Sequence, residues 1–288
     1  QPPTEADLGQ KLTMFHDPRG QVVRTLNPDG SEQRVVFGIP RDLANPDDFA
    51  PSAWEAYTYD SNDNAGRTHG NAAAAYSAHW NTPASIVVDA LGRTVTAVAR
   101  NGSDPATEWF VTRSAYDIQG NLLATTDALG RIAFRYTHDL AKRTWRVESI
   151  DAGRGQCVFD ALGNLVESRD QKGAVTLSGH DTLHRPIRLW ASDDATSPMT
   201  LRQRLEYGDA GSATQPAAER AAARARNLLG QLTRHFDEAG LSTVDHLDFK
   251  GNVLEKSRRV IADAPLLAVF QQAPANGWHV TSFQPSWQ

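Results

Sequence analysis

Cysteine is almost missing from this sequence. The single residue, Cys157, excludes an internal disulfide framework. Its surroundings, GRGQCVFD, carry no signature of a nucleophilic thiol, so it reads as a small, half-buried strand residue. Long apolar runs are missing too. The longest, such as Ala264 to Phe270, fall far short of the ~18–20 residues that a membrane helix needs, so direct membrane insertion is not expected. Charge of one sign is nowhere concentrated. The 29 basic and 34 acidic residues are spread along the 288-residue chain and leave a net charge of −5. Nothing therefore points to nucleic acid or to a lipid surface. The densest basic run, Arg220 to Arg226 in ERAAARAR, reads as the solvated face of a helix. The opening QPPTEADLGQ is polar, with no basic start and no initiator Met. It does not read as a signal peptide, and the chain is expected to be an excised piece of a longer one.

Catalytic signatures are also lacking. There is no G-x-x-x-x-G-K, G-x-S-x-G, H-E-x-x-H or C-x-x-C. His180 and His184 have a helical metal spacing but fall in a strand and a turn. The segment Asp60-Ser61-Asn62-Asp63-Asn64-Ala65-Gly66 has acidic and amide side chains at alternating positions, like a calcium loop. Its Gly comes one residue late and the twelfth position is Asn71, so an Asx-rich loop held by its own side chains is the plainer reading. Asn101-Gly102-Ser103 fits the glycosylation pattern only weakly. No catalytic, cofactor-binding or metal-binding residue is assigned, and an enzyme is not expected.

What is present is repetition. Asp-x-x-Gly occurs at Asp17-Gly20, Asp89-Gly92, Asp117-Gly120, Asp127-Gly130, Asp160-Gly163, Asp170-Gly173, Asp237-Gly240 and Asp248-Gly251. Asn27-Gly30 and Asn227-Gly230 are variants, and Asp139 and Asp181 keep the Asp without the Gly. An aromatic or His precedes Asp at Tyr116-Asp117, His138-Asp139, Phe159-Asp160 and His180-Asp181, in steps of about twenty-one residues. Secondary turns at Asp127, Asp151 and Asp170 halve that step. Asp at the head of a type I turn accepts backbone N–H groups, and Gly at the fourth position takes a positive φ without penalty. These eighteen Asp, Gly, Tyr116 and Phe159 positions are expected to be structural turn residues, each closing a hairpin with a bulge at Gly.

About six residues separate successive turns, as in NLLATT and NLVESR. That length makes a strand of ~20 Å. The expected fold is mainly β: an antiparallel meander of short hairpins forming a curved sheet, with one or two short helices (about 216–229). Residues 1–40 read as β-hairpin repeats and 41–84 as a loop-rich insertion with a short helix near Phe49 to Trp54. Residues 85–190 read as a continuous β-strip, and 191–230 as a surface loop followed by a helix. Residues 231–288 read as further hairpins with an extended C-terminal segment. The helix rests on PAAERAAARARNLL, where Pro216 leads and Gly230 follows.

The unit from Tyr116 to Leu122, followed by Thr126 to Arg131 and repeated from Phe159 to Leu165, resembles an RHS or YD repeat. The segments Tyr57 to His69, His79 to Ser85 and Val88 to Arg93 resemble the middle-to-late region of the B component of bacterial insecticidal toxin complexes, the SpvB-like family. The resemblance covers 85–190 well, and 10–35 and 225–260 more loosely. It implies a spiralling β-shell, built by B and C components, that holds a largely unfolded cytotoxic polypeptide until a pore-forming A component delivers it. The implied partners are the rest of the shell chain, a C-type component with its toxin cargo, and the A component. The implied location is secreted or extracellular, from a bacterium. The family's amino-terminal propeller region and the self-cleaving aspartyl site of C components are not visible here, so no catalytic residue carries over. A chain of 288 residues closes no cargo-sized cavity and would supply part of a wall.

A different class of function, an extracellular adhesion or carbohydrate-binding module, would need a cluster of exposed aromatics drawn from Trp54, Trp80, Trp109, Trp145, Trp190, Trp278, Trp287 and the tyrosines. An enzyme would need converging carboxylates.

Overall fold

The computed structural model describes residues 9–69, 77–210, 215–261 and 286–287. They fall into two compact units. One runs through Thr137 and takes in Ser149–Asp151, and the other takes His138–Glu148 and the chain from Ala152 on. The described residues contain eighteen strands and one α-helix, so the chain is mainly β.

The first unit holds β1 (Thr13–His16), β2 (Val22–Leu26), β3 (Glu32–Pro40), β4 (Phe49–Tyr59), β5 (Ala84–Val88), β6 (Thr94–Arg100), β7 (Trp109–Tyr116), β8 (Leu122–Thr126) and most of β9 (Ile132–His138). Each pairs antiparallel with the next. The second unit holds most of β10 (Thr144–Ser149), then β11 (Gly153–Phe159), β12 (Leu165–Arg169), β13 (Val175–His180), β14 (Pro186–Ser192), β15 (Thr200–Tyr207), helix α1 (Ala217–Ala225), β16 (Leu232–Asp237), β17 (Gly240–Leu247) and β18 (Val253–Val260). From β11 to β18 every neighbour in sequence is an antiparallel neighbour in the sheet.

Three expectations need correction. Phe49 to Trp54 is not a helix: it opens β4, an eleven-residue strand whose Phe49 faces Pro40 of β3. The ladder carries Pro51 because the register shifts there, where Pro51 stands opposite Gly38. The 191–216 stretch is not all loop, since Thr200–Tyr207 alternates well enough to form β15 between β14 and β16. The helix is shorter than 216–229. It ends at Ala225 because Asn227 turns left-handed at φ 57, and Leu228 N–H closes on the Ala223 carbonyl at 2.8 Å. Its basic face, with Arg220, Arg224 and Arg226, is exposed and it buries no side chain. Ala72 to Ala75, Trp278 and most of the C-terminal segment lie outside the described residues.

Few described apolar residues are fully buried: Val36, Tyr59 and Ala65 in the first unit, and Leu201, Leu228 and Leu247 in the second. The two faces of each strip are instead sorted by charge. The registers place Arg24, Glu32, Arg34, Glu55, Arg100, Arg113 and Arg135 on one face of the first unit. The opposite face carries Ala56, Ile86, Ala97, Phe110, Thr112, Leu123, Thr125 and Phe134, and no charge from β5 to β9. Phe110 and Leu123 remain 46% and 42% exposed there. The second unit repeats the division. Glu167, Arg169, Arg188, Arg204, Glu206 and Arg234 share one face, while Cys157, Ser168, Thr176, Ser178, Leu189, Ala191, Gln203, Leu205 and His235 share the other. The pattern ends with Asp237 of β16 and with β18, where Lys256 and Arg258 pair onto the neutral side. Period-two alternation makes this partition possible, because a slip of one residue would invert it.

Candidate functional site

The recurring feature of both units is the Asp turn. In the 89–92 turn, Gly92 N–H donates to the Asp89 carbonyl and Asp89 N–H to the Arg93 carbonyl, both at 2.9 Å. Asp89 Oδ1 accepts the N–H groups of Leu91 (2.9 Å) and Arg93 (3.0 Å). Asp117, Asp127, Asp160, Asp170 and Asp248 accept the same two backbone donors in their own turns. So does Asp17, whose carboxylate also takes Arg19 Nε at 2.9 Å. The fourth position lies left-handed in each case: Gly20, Gly92, Gly120, Gly130, Gly163, Gly173 and Gly251 have φ between 75 and 91. The two copies without Gly adopt the same backbone, with Lys142 at φ 63 and His184 at φ 61. Lys142 and His184 thus take on the strain that glycine avoids elsewhere.

Asp237-Gly240 is a different turn. Asp237 stands directly opposite Gly240 in the β16–β17 ladder, so the loop is only Glu238-Ala239. Gly240 is needed there for close approach, because a Cβ would collide with the Arg259 carbonyl.

In the other Asp turns the residue after the fourth position, apart from Gln21 and Ala174, is Arg or Asn and makes two kinds of turn. Where it is Arg, its Nε donates to the second carboxylate oxygen of its own Asp: Arg93 to Asp89 (2.7 Å), Arg131 to Asp127 (2.9 Å), Arg143 to Asp139 (2.7 Å) and Arg185 to Asp181 (2.8 Å). Where it is Asn, its amide does the same: Asn121 to Asp117, Asn164 to Asp160 and Asn252 to Asp248, at 2.7–2.8 Å. These bonds hold the carboxylates below the ordinary range. The Arg93 side chain dominates at Asp89, the Asn121 side chain at Asp117 and the Asn164 side chain at Asp160.

Three of the arginines reach beyond their own turn. Arg93 Nη1 donates to the Asp117 carbonyl at 3.1 Å and its guanidinium lies 4.8 Å from the Tyr116 ring centre. Arg143 does the same with the Asp160 carbonyl (3.0 Å) and Phe159 (5.1 Å). Arg185 stacks on Tyr207 at 4.0 Å and binds Asp209 through both terminal nitrogens, at 2.9 and 3.1 Å. Tyr116 and Tyr207 are anchored in turn, their hydroxyls donating to the carbonyls of Thr94 and Pro186. Each clamp joins an Arg-type turn to the next turn along the same edge. The structural period is therefore two hairpins, twice the step of about twenty-one residues visible in the aromatic slot. The signal was present in the alternation Arg93, Asn121, Arg143, Asn164, Arg185.

The remaining candidates are accounted for individually. In the 60–66 loop, Asp60 Oδ1 accepts the N–H groups of Asn62 and Asp63. Asp63 accepts from Asp60 N–H and from Thr82 N–H and Oγ1. Asn64 donates to the Glu32 and Asp60 carbonyls. Burial pushes the Asp63 carboxyl up and the Tyr59 phenol up to about 12. Among the described residues no group of three or more His, Cys, Asp or Glu side chains is placed to hold a metal ion. His180 ends β13 opposite Pro186, and His184 fills the left-handed turn position. Cys157 lies half-buried in β11 opposite Ser168. The Trp109 ring carries Arg100 at 4.2 Å, and Trp54 is 52% exposed.

Charge-sorted antiparallel strips closed by Asp turns and tied by arginine clamps define a β-repeat meander, and solved structures share that fold. Over 88% of its length the chain aligns with a TcdB2–TccC3 structure at a TM-score of 0.66 and 22% identity. The TcdB2–TccC3–Cdc42 structure gives 0.67, and the pore form of the Photorhabdus luminescens Tc holotoxin gives 0.65, each at 22% identity over 88% of the chain. The chain spans only 11–12% of the length of those chains. Neither a protein-family model nor a curated protein sequence matches it.

Proposed function

We propose that this chain is a wall segment of an RHS/YD-repeat β-shell in a secreted bacterial toxin complex, and that it acts by enclosure, without chemistry of its own. The fold shared with Tc toxin structures supports the setting. Its partners in this reading are the rest of the shell chain, a C-type component bearing the toxin polypeptide, and a pore-forming A component. The observation that carries the reading is the neutral face of each strip, charge-free from β5 to β9 in the first unit and from β11 to β14 in the second. A wall facing an unfolded polypeptide must neither offer it a strong ionic site nor bury it in a deep pocket. A shallow surface of Ala, Thr, Ser and half-exposed Ile, Phe and Leu meets both needs. Charged side chains on the other face keep that side solvated.

The test places one charge on each face in turn. Thr112 is exposed on the neutral face of β7 and Ala115 is exposed on its charged face. In the assembled complex, Thr112→Glu should reduce protease protection of the enclosed polypeptide, while Ala115→Glu should not. Equal protection in both variants, at unchanged melting temperature, would refute an inward-facing neutral wall.

A further inference from the structure

The arginine clamps do not run continuously along their edge, and we propose that the gap between two of them makes the β12–β13 hairpin a built-in hinge of the second unit. Arg143 ties the 139–142 turn to the 160–163 turn, and Arg185 ties the 181–184 turn to Asp209. Between these pairs stands Asn164. Its amide donates to Asp160 of its own turn at 2.8 Å, and the side chain is too short to span the two strand spacings, about 9–10 Å, to the turn at Asp181.

Two independent observations fall on the same line. The β12–β13 ladder has three registered pairs, Glu167↔Leu177, Ser168↔Thr176 and Arg169↔Val175, whereas β13–β14 has six and β11–β12 has four. On the opposite edge β12 and β13 are joined by the 170–173 turn itself, and Gln171 Oε1 of that turn accepts Arg154 N–H at 3.1 Å. One edge is held and the other is unclamped across a short ladder. Motion there is a fan-like opening about the Gly173 end, which changes the curvature of the strip without breaking either clamped pair. Local opening follows the weakest contiguous set of contacts.

The experiment is residue-resolved amide hydrogen exchange on the intact protein. Amides bridging β12 and β13 are expected to exchange about tenfold or more faster than those bridging β10–β11 and β14–β15, the two ladders that the clamps cross, the ratio that one missing charge-assisted bond and ring stack supplies. The Asn164→Arg, His180→Tyr double variant rebuilds a clamp across the gap and should slow exchange at the β12–β13 ladder to that of the two clamped ladders. Arg143→Met should speed exchange at the β10–β11 ladder. Equal protection of the three ladders in the unaltered protein would overturn the proposal. A folded double variant with unchanged β12–β13 exchange would overturn it too. The comparison within the unaltered protein decides the matter even where the double variant fails to fold.

Discussion

The left-handed turn position offers a quantitative test of how these hairpins are held. Gly130 has φ +78, and a Cβ added there meets no heavy atom within 4 Å. A substitution at Gly130 therefore perturbs the backbone alone, with no packing contribution. A left-handed conformation costs an L-residue roughly 1–2 kcal/mol, more when it is β-branched. Loss of glycine's freedom in the unfolded chain returns about 0.4–1 kcal/mol. Gly130→Ala should then destabilise the first unit by about 1 kcal/mol and Gly130→Val by about 2–3 kcal/mol. Lys142 supplies the reverse experiment. It already sits at φ 63 in the equivalent place, so Lys142→Gly should stabilise by up to ~1 kcal/mol. In a domain of this size 1 kcal/mol moves the melting temperature by about 2–4 °C, which differential scanning calorimetry resolves. The reasoning fails if Gly130→Val leaves the transition unmoved, or if Lys142→Gly lowers it.

Removing a clamp by Arg143→Met keeps the apolar stem but loses the bond to the Asp160 carbonyl and the stack on Phe159. Because both partners of the Arg143–Asp139 ion pair are about a third exposed, the expected loss is only about 1–2 kcal/mol. Arg143→Lys should not restore it, since one ammonium cannot replace the planar fork, and urea denaturation of the two variants checks this. Gly240→Ala drives a Cβ into the Arg259 carbonyl and should cost ~3 kcal/mol or more, read as premature exchange in β17 and β18. The pH dependence follows from the turn carboxylates. Asp89, Asp117 and Asp160 titrate below the ordinary carboxylate value when folded, and Asp194, held chiefly by the Thr196 side chain, falls to about 2. On acidification the unfolded chain takes up these protons first. Stability is thus full above pH ~4 and is lost between about pH 4 and pH 2, with Asp63, raised by burial, opposing the trend. A melting temperature that rises on going from pH 5 to pH 3 would contradict this sign.

Much of the fold was legible because its rule is local. An Asp that accepts the N–H groups two and four residues ahead, and a Gly that turns left-handed, need no distant partner, so the turn writes itself into the sequence. What failed was non-local. Phe49 to Trp54 sits among Pro46, Asp47, Asp48 and Pro51 and offers few signs of a strand. It becomes one because β3 runs on to Pro40 and supplies a ladder. Asp237-Gly240 matches the turn motif letter for letter, yet its Gly answers to the Arg259 carbonyl on a neighbouring strand. The clamps lie between these extremes. Each needs an arginine on one turn and an aromatic before the next, so the alternation of Arg and Asn is visible in the sequence only when turns on one edge are read together.

The clamps also bear on why one face can be left without charge. With so few fully buried apolar side chains among the described residues, these gain little from a conventional core, and their order comes chiefly from ladders, turns and cross-strand contacts. Arginine supplies much of the last. Arg24 over Phe15, Arg100 over Tyr57 and Trp109, and Arg204 and Arg234 over Phe236 cover rings on the charged faces. Arg93, Arg143 and Arg185 cover rings at the turn edge. Guanidinium groups shield apolar surface while remaining partly hydrated, so they replace a second packing layer at little desolvation cost. Concentrating the charged cross-strand work on one face and one edge leaves the other face to neutral contacts, such as Ser168 with Thr176 and His235 with Gln203. Residues there, such as Ala97, Thr112 and Thr125, can then remain small and neutral without loss of the charged contacts.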